Sequence, residues 1–160
     1  MGALKVVTVR AMARVLLTGM SGTGKSTVLG ELRRRGHLTV DTDYDAWVLP
    51  DGTWDAPRMA ELLAAQPAVV VSGTVQNQGG LYDRFDHVVL LSAPVDVLLA
   101  RVERRTDNPY GKSAVQRAEI EEYVRTVEPL LRAGATLELD ARRPVRDLAD
   151  AVEELVEPRC

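Results

Sequence analysis

Short apolar runs recur along the chain and alternate with longer segments in which apolar residues return every three or four positions. The short runs have the length of buried strands, and the longer segments have the period of amphipathic helices. Strands are predicted at residues 14–18, 38–40, 68–71, 88–91 and 136–139. Helices are predicted at residues 25–35, 58–65, 95–105, 114–131 and 145–156. Strands that alternate with helices in this way indicate an α/β fold, with a parallel sheet covered by helices on both faces.

Two segments fall outside this alternation. Residues 1–12 are predicted to form either a short extra strand or a poorly ordered lead-in, which is common at chain termini. Residues 106–113 form a polar break between two predicted helices. Since no change of composition separates two folding units, the 160 residues are predicted to form a single domain.

The composition narrows the class of partner. With 46% hydrophobic residues the chain can bury one substantial core. A net charge of −3 and an aromatic content of 4% argue against a nucleic-acid surface, which usually needs a basic stripe or stacking platforms. The lone cysteine, Cys160, allows no disulfide framework, and no apolar run approaches the length of a signal peptide or a membrane span. We therefore expect a cytoplasmic protein that binds neither nucleic acid nor membrane.

The most specific motif is Gly-Met-Ser-Gly-Thr-Gly-Lys-Ser-Thr at residues 19–27, directly after the first predicted strand. It matches the phosphate-binding loop G-x-x-x-x-G-K-[ST], whose backbone amides wrap a polyphosphate while the lysine reaches the outer phosphates and the hydroxyl binds Mg²⁺. The predicted nucleotide contacts are Gly22, Thr23, Gly24, Lys25, Ser26 and Thr27. The alternative is a glycine-rich turn that only joins a strand to a helix. The glycine spacing does not fit the dinucleotide motif G-x-G-x-x-G.

Three carboxylates follow the second predicted strand, at positions 41, 43 and 45. Asp41 is predicted to hold the hydration shell of a Mg²⁺ ion bound by Ser26, because Mg²⁺ keeps several waters and takes few protein ligands. Asp43 is then free to accept a proton from a hydroxyl group. Alternation along an extended strand end places all three carboxylates on one side, so the assignment of the base among them stays open. The alternative is a solvated acidic turn.

The chain resembles the small P-loop kinases related to adenylate kinase and shikimate kinase over residues 14–156. The phosphate loop carries the resemblance most strongly, and Asp41-x-Asp43 looks like the paired aspartates of shikimate and gluconate kinases. Arg101 and Arg105, followed by the polar segment 108–112, look like the arginine pair and lid of adenylate kinase. The resemblance implies a three-layer P-loop fold with strand order 2-3-1-4-5 and transfer of the ATP γ-phosphoryl group to a small acceptor.

The resemblance also implies roles for basic residues. Arg101 would stack on the adenine, Arg105 would reach the phosphates, and Lys112 would close over them from a lid at residues 106–113. Arg142-Arg143-Pro144 is similar to the loop that packs against adenine, so Arg143 and Pro144 are predicted cofactor contacts. The alternative for the arginines of the helix is a basic helix end that its dipole favours. Either Arg117 or Arg125 could also reach the phosphates.

The acceptor site is less well specified. Arg58 resembles the arginine that grips the substrate carboxylate in shikimate kinase, although Arg58 and Glu61 also fit an ordinary surface pair. The Gly-Gly-Gly that the family carries after strand three is replaced by Ser72-Gly73-Thr74, a departure that argues against shikimate itself. Thr74 and Gln76 are the predicted acceptor contacts in this region, where a solvated loop is the alternative.

Two classes of function are compatible with these residues. The first is an ATP- and Mg²⁺-dependent kinase of a small molecule, acting as a monomer or dimer. The second is a nucleotide-binding switch or ATP hydrolase without an acceptor. Strand three ends in Ser72-Gly73 where many motor ATPases have an acidic pair, and the guanine-reading motif Asn-Lys-x-Asp is absent from the sequence. These features favour the kinase.

Overall fold

Five parallel strands form the centre of the computed structural model, which describes residues 12–106 and 108–158. The strands are β1 Arg14–Gly19, β2 Thr39–Asp41, β3 Val69–Ser72, β4 His87–Ser92 and β5 Leu137–Asp140. Their order is β2-β3-β1-β4-β5, and each neighbouring pair is parallel. The predicted sheet and its strand order are confirmed. Cys160, Asp107 and all of the predicted lead-in except Met12 lie outside the described residues.

Six α-helices and one 3₁₀ helix surround the sheet in the described part of the chain. The α-helices are α1 Lys25–Arg34, α2 Ala56–Ala65, α3 Val95–Arg104, α4 Ala114–Thr126, α5 Glu128–Gly134 and α6 Val145–Val156. The 3₁₀ helix Gln78–Arg84 lies between β3 and β4 and was not predicted. Within residues 12–106 and 108–158, no helix combines the length and the apolar character needed to cross a bilayer.

The prediction of one continuous helix over residues 114–131 is wrong. The chain forms α4 and α5, which meet at Val127. Pro129 lies in the first turn of α5, where its missing N–H removes a hydrogen bond that a continuous helix would need. A proline is tolerated in a first turn because the amide there has no helical partner. The break is therefore a local consequence of Pro129.

Alternating residues of the central strands bury their side chains on opposite faces of the sheet. Val15 and Leu17 belong to the core cluster that contains residues of α1 and α6, whereas Leu16 belongs to the cluster that contains residues of α2. These three side chains are 0% exposed. Burial of one such side chain stabilises the fold by about 1.5–3 kcal/mol. β1 is thereby fixed between two apolar layers.

The carboxyl ends of β1, β2 and β3 lie next to one another. Leu17 of β1 and Asp41 of β2 both pair in register with Ser72 of β3. The phosphate-loop motif, the aspartate turn and the segment that starts at Gly73 therefore leave the sheet at the same edge. Ligands of open α/β sheets bind outside this edge.

Candidate active site

The loop between β1 and α1 depends on glycine conformations. Gly22 and Gly24 have φ angles of +88° and +90°, and Gly24 caps the N-terminus of α1. Thr23 closes the loop, because its buried hydroxyl donates a 2.9 Å hydrogen bond to the carbonyl oxygen of Met20. The first amides of α1 have no helical acceptor and carry the positive end of the helix dipole. The predicted loop is therefore shaped to receive an anion.

Alanine at two of these glycines gives a first prediction. A Cβ atom at Gly22 would lie 2.8 Å from the carbonyl oxygen of Leu98, whereas one at Gly24 would meet nothing within 4 Å. Both substitutions impose an unfavourable φ, and only Gly22→Ala adds a clash with backbone. We expect Gly22→Ala to lower the free energy of unfolding by about 1–3 kcal/mol more than Gly24→Ala. Urea unfolding of both variants without nucleotide measures the difference, and equal losses would contradict it.

Lys25 lies folded over the loop that precedes it. Its Nζ atom donates to the carbonyl oxygen of Gly19 at 2.6 Å and to that of Met20 at 3.3 Å. Removal from water lowers the pKa of Lys25 to about 8, against the opposing effect of the nearby carboxylates of Asp43 and Asp41. An anion bound at the loop would stabilise the charged ammonium.

The side-chain oxygen atoms of Ser26 and Asp41 lie next to each other. The Oγ atom of Ser26, in the first turn of α1, donates to Oδ2 of Asp41 at 2.8 Å. No group of three or more His, Cys, Asp or Glu residues able to hold a metal occurs within the described ranges. A hydroxyl and one carboxylate suit Mg²⁺ bound chiefly through phosphate oxygens and water. The donor set thus fits the predicted Mg²⁺ site.

The turn after β2 separates the three carboxylates. The alternation expected over residues 41–45 is wrong, because β2 ends at Asp41 and the Tyr44 N–H then bonds back to the Asp41 carbonyl oxygen at 3.2 Å. The Asp43 N–H donates to Oδ1 of Asp41 at 3.1 Å. Partial desolvation and the Asp41 charge raise the pKa of Asp43, although Lys25 and Arg105 act in the opposite direction. Asp45 lines a different groove from Asp43.

Two cavities, each of about 280 Å³, meet at Asp43. Ser21, Lys25 and Asp43 line both. One of the two, which we call the phosphate cavity, is also lined by Gly22, Gly24, Ser26, Thr27, Arg101 and Arg105. The second cavity continues along Thr74, Tyr110, Ile120 and Tyr123. The site therefore has two compartments, with one carboxylate and one ammonium group at their junction.

The two arginines of α3 and its C-cap lie in the phosphate cavity. Arg101 donates to the carbonyl oxygen of Ala141 at 2.8 Å and to that of Gly22 at 3.4 Å. Arg105 donates through Nη2 to the carbonyl oxygen of Tyr110 at 2.9 Å. Its Nε atom is buried and has no partner among the residues that the structure describes. This donor is therefore free to bond a water or a ligand oxygen in the cavity. Stacking of Arg101 on adenine stays a prediction.

Several other predicted contacts line neither cavity. These are Lys112, Arg143, Pro144 and Gln76, all of them exposed. Arg117 and Arg125, considered as further phosphate ligands, pair with Glu103 and Glu122. The predicted roles of these residues in binding nucleotide or acceptor are untested, and their positions outside the two cavities do not support them.

Arg58 also lies apart from the second cavity, in a groove beside α1 and β2. Its guanidinium group donates to the carbonyl oxygens of Asp45 at 2.8 Å and Ala46 at 3.1 Å, and lies 3.8 Å from the ring centroid of Trp47. Asp45 and Ala46 have φ angles of 62° and 58°, which are costly for residues other than glycine. Arg58 thus stabilises a strained turn and is not brought to Asp43.

A buried hydrogen-bonded support that the sequence did not predict lies beneath the aspartate turn. The indole Nε1 of Trp54, which is 1% exposed, donates to Oγ1 of Thr42 at 3.0 Å. The Thr42 hydroxyl in turn donates to the carbonyl oxygen of Ser72 at 2.8 Å. This chain of bonds fixes the residue between Asp41 and Asp43 to the end of β3. A tryptophan in a Pro- and Gly-rich loop was the available signal.

A second support holds the end of β1. The Thr74 hydroxyl donates to the carbonyl oxygen of Gly19 at 2.7 Å and lies 3.0 Å from the hydroxyl of Thr18. The amide of the buried Gln78 donates to Thr18 Oγ1 at 3.1 Å. Gln78 lies two positions after the predicted contact Gln76, but its side chain supports the end of β1 and lines neither cavity.

Comparison with protein families places these features in a wider group. Residues 15–123 match the family described as AAA domain. The chain is 43% identical over 67 residues to a dephospho-CoA kinase from Deinococcus radiodurans, and 31% identical over 153 residues to a nucleotide-binding protein from Pseudomonas putida. These matches cover 41% and 87% of this chain. The chain spans 30% and 48% of the length of these two relatives.

Solved structures share the fold. A shikimate kinase from Acinetobacter baumannii in complex with shikimate has a TM-score of 0.70 at 21% identity, over 92% of this chain and 94% of its own. A gluconokinase from Sinorhizobium meliloti has a TM-score of 0.58 at 21% identity, over 89% of this chain and 90% of its own. At this identity the likeness establishes the fold.

Proposed function

We propose that this chain, which belongs to the AAA domain family, is a small-molecule kinase that moves the γ-phosphoryl group of Mg-ATP to a hydroxyl or phosphate of a small metabolite. The observation that carries this proposal is the position of Asp43, which lines both the phosphate cavity and the second cavity. A carboxylate at the junction of a donor site and an acceptor site can align an acceptor hydroxyl with the phosphate and take its proton. The shared fold with a shikimate kinase and a gluconokinase supports the same reaction class.

Each part of the site has a task in this reaction. The loop amides orient the polyphosphate, and Ser26 and Asp41 would hold Mg²⁺, which neutralises phosphate charge when bound. Lys25 and Arg105 stabilise negative charge on the transferred group. The bond from the γ-phosphorus to the bridging oxygen of ADP breaks as a bond to the acceptor oxygen forms. For a hydroxyl acceptor, Asp43 takes the proton.

The segment after α3 connects the two cavities. Tyr110 lines the second cavity, while its carbonyl oxygen accepts a hydrogen bond from Arg105 in the phosphate cavity. The neighbouring Gly111 has a φ of +94°, and a Cβ atom there would overlap a methyl group of Val102. Close packing of this segment would keep water away from the reacting groups, a function expected of a lid.

The proposal is tested by incubating the protein with ATP, Mg²⁺ and a panel of acceptors. The panel contains shikimate, gluconate, dephospho-CoA, nucleosides, nucleotides, sugars and hydroxy acids. We expect one class of acceptor to produce ADP and phosphorylated product in equal amounts, measured by coupled assay and mass spectrometry. Turnover of ATP without any acceptor, unchanged by Asp43→Asn, would instead support a hydrolase or switch.

A further inference from the structure

We propose that the second cavity selects a compact, uncharged hydroxyl compound as the phosphoryl acceptor. This inference rests on the proposed kinase function and specifies its substrate class. The acceptor hydroxyl must reach Asp43, so the rest of the molecule has to lie among Thr74, Tyr110, Ile120 and Tyr123. The chemistry of these four side chains therefore decides which acceptors are bound.

The charges around the cavity disfavour an anion. Of the described residues that line it, Lys25 is the only cation and Asp43 the only anion. Lys25 also lines the phosphate cavity, where the polyphosphate would take up its charge. A carboxylate or phosphate on the acceptor would then face Asp43 and the γ-phosphate without a cation of its own. Burial of an unpaired charge is costly, so an uncharged acceptor is favoured.

The expected carboxylate ligand is engaged elsewhere. Arg58 lines a separate groove, and its guanidinium group bonds to the carbonyl oxygens of Asp45 and Ala46 and stacks on Trp47. Its release would remove two hydrogen bonds from residues that already have unfavourable φ angles. The turn at residues 45 and 46 therefore holds the Arg58 guanidinium group away from the second cavity, where it could have bound an acidic acceptor.

The walls and size of the cavity favour a small molecule with one apolar face. Ile120 is 2% exposed and Met20 is 6% exposed, and the rings of Tyr110 and Tyr123 add further apolar surface. The cavity volume is about 280 Å³. Pockets for drug-sized ligands are typically larger, at about 300–1,000 Å³. Polyols and cyclic alcohols combine such a size with a hydroxyl group that can hydrogen-bond to Asp43.

The first test compares acceptors that differ chiefly in charge. The pairs are shikimate with methyl shikimate, gluconate with glucitol, and glycerol 3-phosphate with glycerol. With ATP and Mg²⁺ saturating, we expect kcat/KM for the uncharged member of each active pair to be at least about tenfold higher, equivalent to about 1.4 kcal/mol. Product formation is followed by mass spectrometry, so that ATP hydrolysis is counted separately.

The second test adds a cation to the cavity wall. Tyr123→Lys places an ammonium group in the cavity, and Val115→Lys adds the same charge to the same helix at a residue that is 71% exposed and lines neither cavity. We expect Tyr123→Lys to raise the ratio of charged to uncharged turnover at least about fivefold, by supplying the missing counter-charge. Val115→Lys should leave this ratio unchanged.

The outcomes separate this inference from the proposed function. Higher turnover of the charged member of each pair would overturn the inference and leave the kinase function intact. An equal rise of the ratio in both lysine variants would also overturn it, because the effect would then not depend on the cavity. ATP hydrolysis without phosphorylation of any acceptor would overturn both.

Discussion

Replacement of Lys25 by methionine is expected to lower kcat/KM for ATP by about 10²–10³-fold, the range measured when one preorganised donor to a developing charge is removed. Methionine retains much of the length of the side chain but not its charge. The Nζ atom of Lys25 donates hydrogen bonds to the carbonyl oxygens of Gly19 and Met20 in the phosphate loop. Lys25 takes part in no salt bridge among the described residues, so the fold should survive. Steady-state kinetics and circular dichroism measure the two effects.

Lys112→Met is the matched control for this variant. Lys112 is exposed and lines neither cavity, although the family resemblance assigns it to a closing lid. We expect its substitution to cost much less activity than that of Lys25. If Lys25→Met retained more than about a tenth of wild-type kcat/KM, Lys25 would not stabilise the transferred group.

The pKa of Lys25 adds a pH dependence to this prediction. Desolvation lowers that pKa to about 8, so the nucleotide-free protein loses the ammonium charge as the pH rises through this value. We expect kcat/KM for ATP to fall above about pH 8, because this parameter reports ionisations of the free protein. In the pH profile of kcat, the corresponding decline (the basic limb) should lie at higher pH, since bound phosphate stabilises the charged form of Lys25. The limb should be absent in Lys25→Met.

Elements whose determinants are local in sequence were predicted well. The apolar run of β1, the glycines of the loop and the first turn of α1 follow one another, so their geometry is set within a few residues. The strand order followed from the family resemblance and is confirmed. By contrast, Pro129 was available as a signal for the break between α4 and α5 and was overlooked.

Side-chain placements that depend on distant contacts were beyond the sequence. Asp43 and Asp45 look equivalent along the chain, but the turn fixed by Thr42 and Trp54 directs them to different cavities. Arg58 has the sequence context of a substrate ligand, and only the strained turn of residues 45 and 46 shows that it has another task. To assign such side chains, one has to know which backbone carbonyl oxygens lack a partner within the backbone and so accept a side-chain hydrogen bond.

Asp43→Asn is expected to lower kcat by about 10²–10⁴-fold while the Kd for Mg-ATP changes little. The asparagine amide keeps the size of the side chain but cannot accept the acceptor proton. Asp43 reaches both cavities, whereas Ser26 and Asp41 supply the predicted Mg²⁺ ligands. Loss of an interaction made only in the transition state lowers kcat and kcat/KM equally. Single-turnover kinetics and calorimetry with Mg-ATP separate the two quantities.

The acidic limb of the pH profile distinguishes Asp43 from its neighbours. Partial desolvation and Asp41 raise the pKa of Asp43 above the ordinary value of 3.8, so its basic form is lost at a higher pH than in an isolated aspartate. Activity should therefore decline, as the pH falls, before an ordinary aspartate would be protonated, and this limb should vanish in Asp43→Asn. Asp45→Asn, altered in the adjacent groove, should keep the limb. If Asp45→Asn abolished it and Asp43→Asn did not, the proton would pass to Asp45 and the turn would have to rearrange when the acceptor binds.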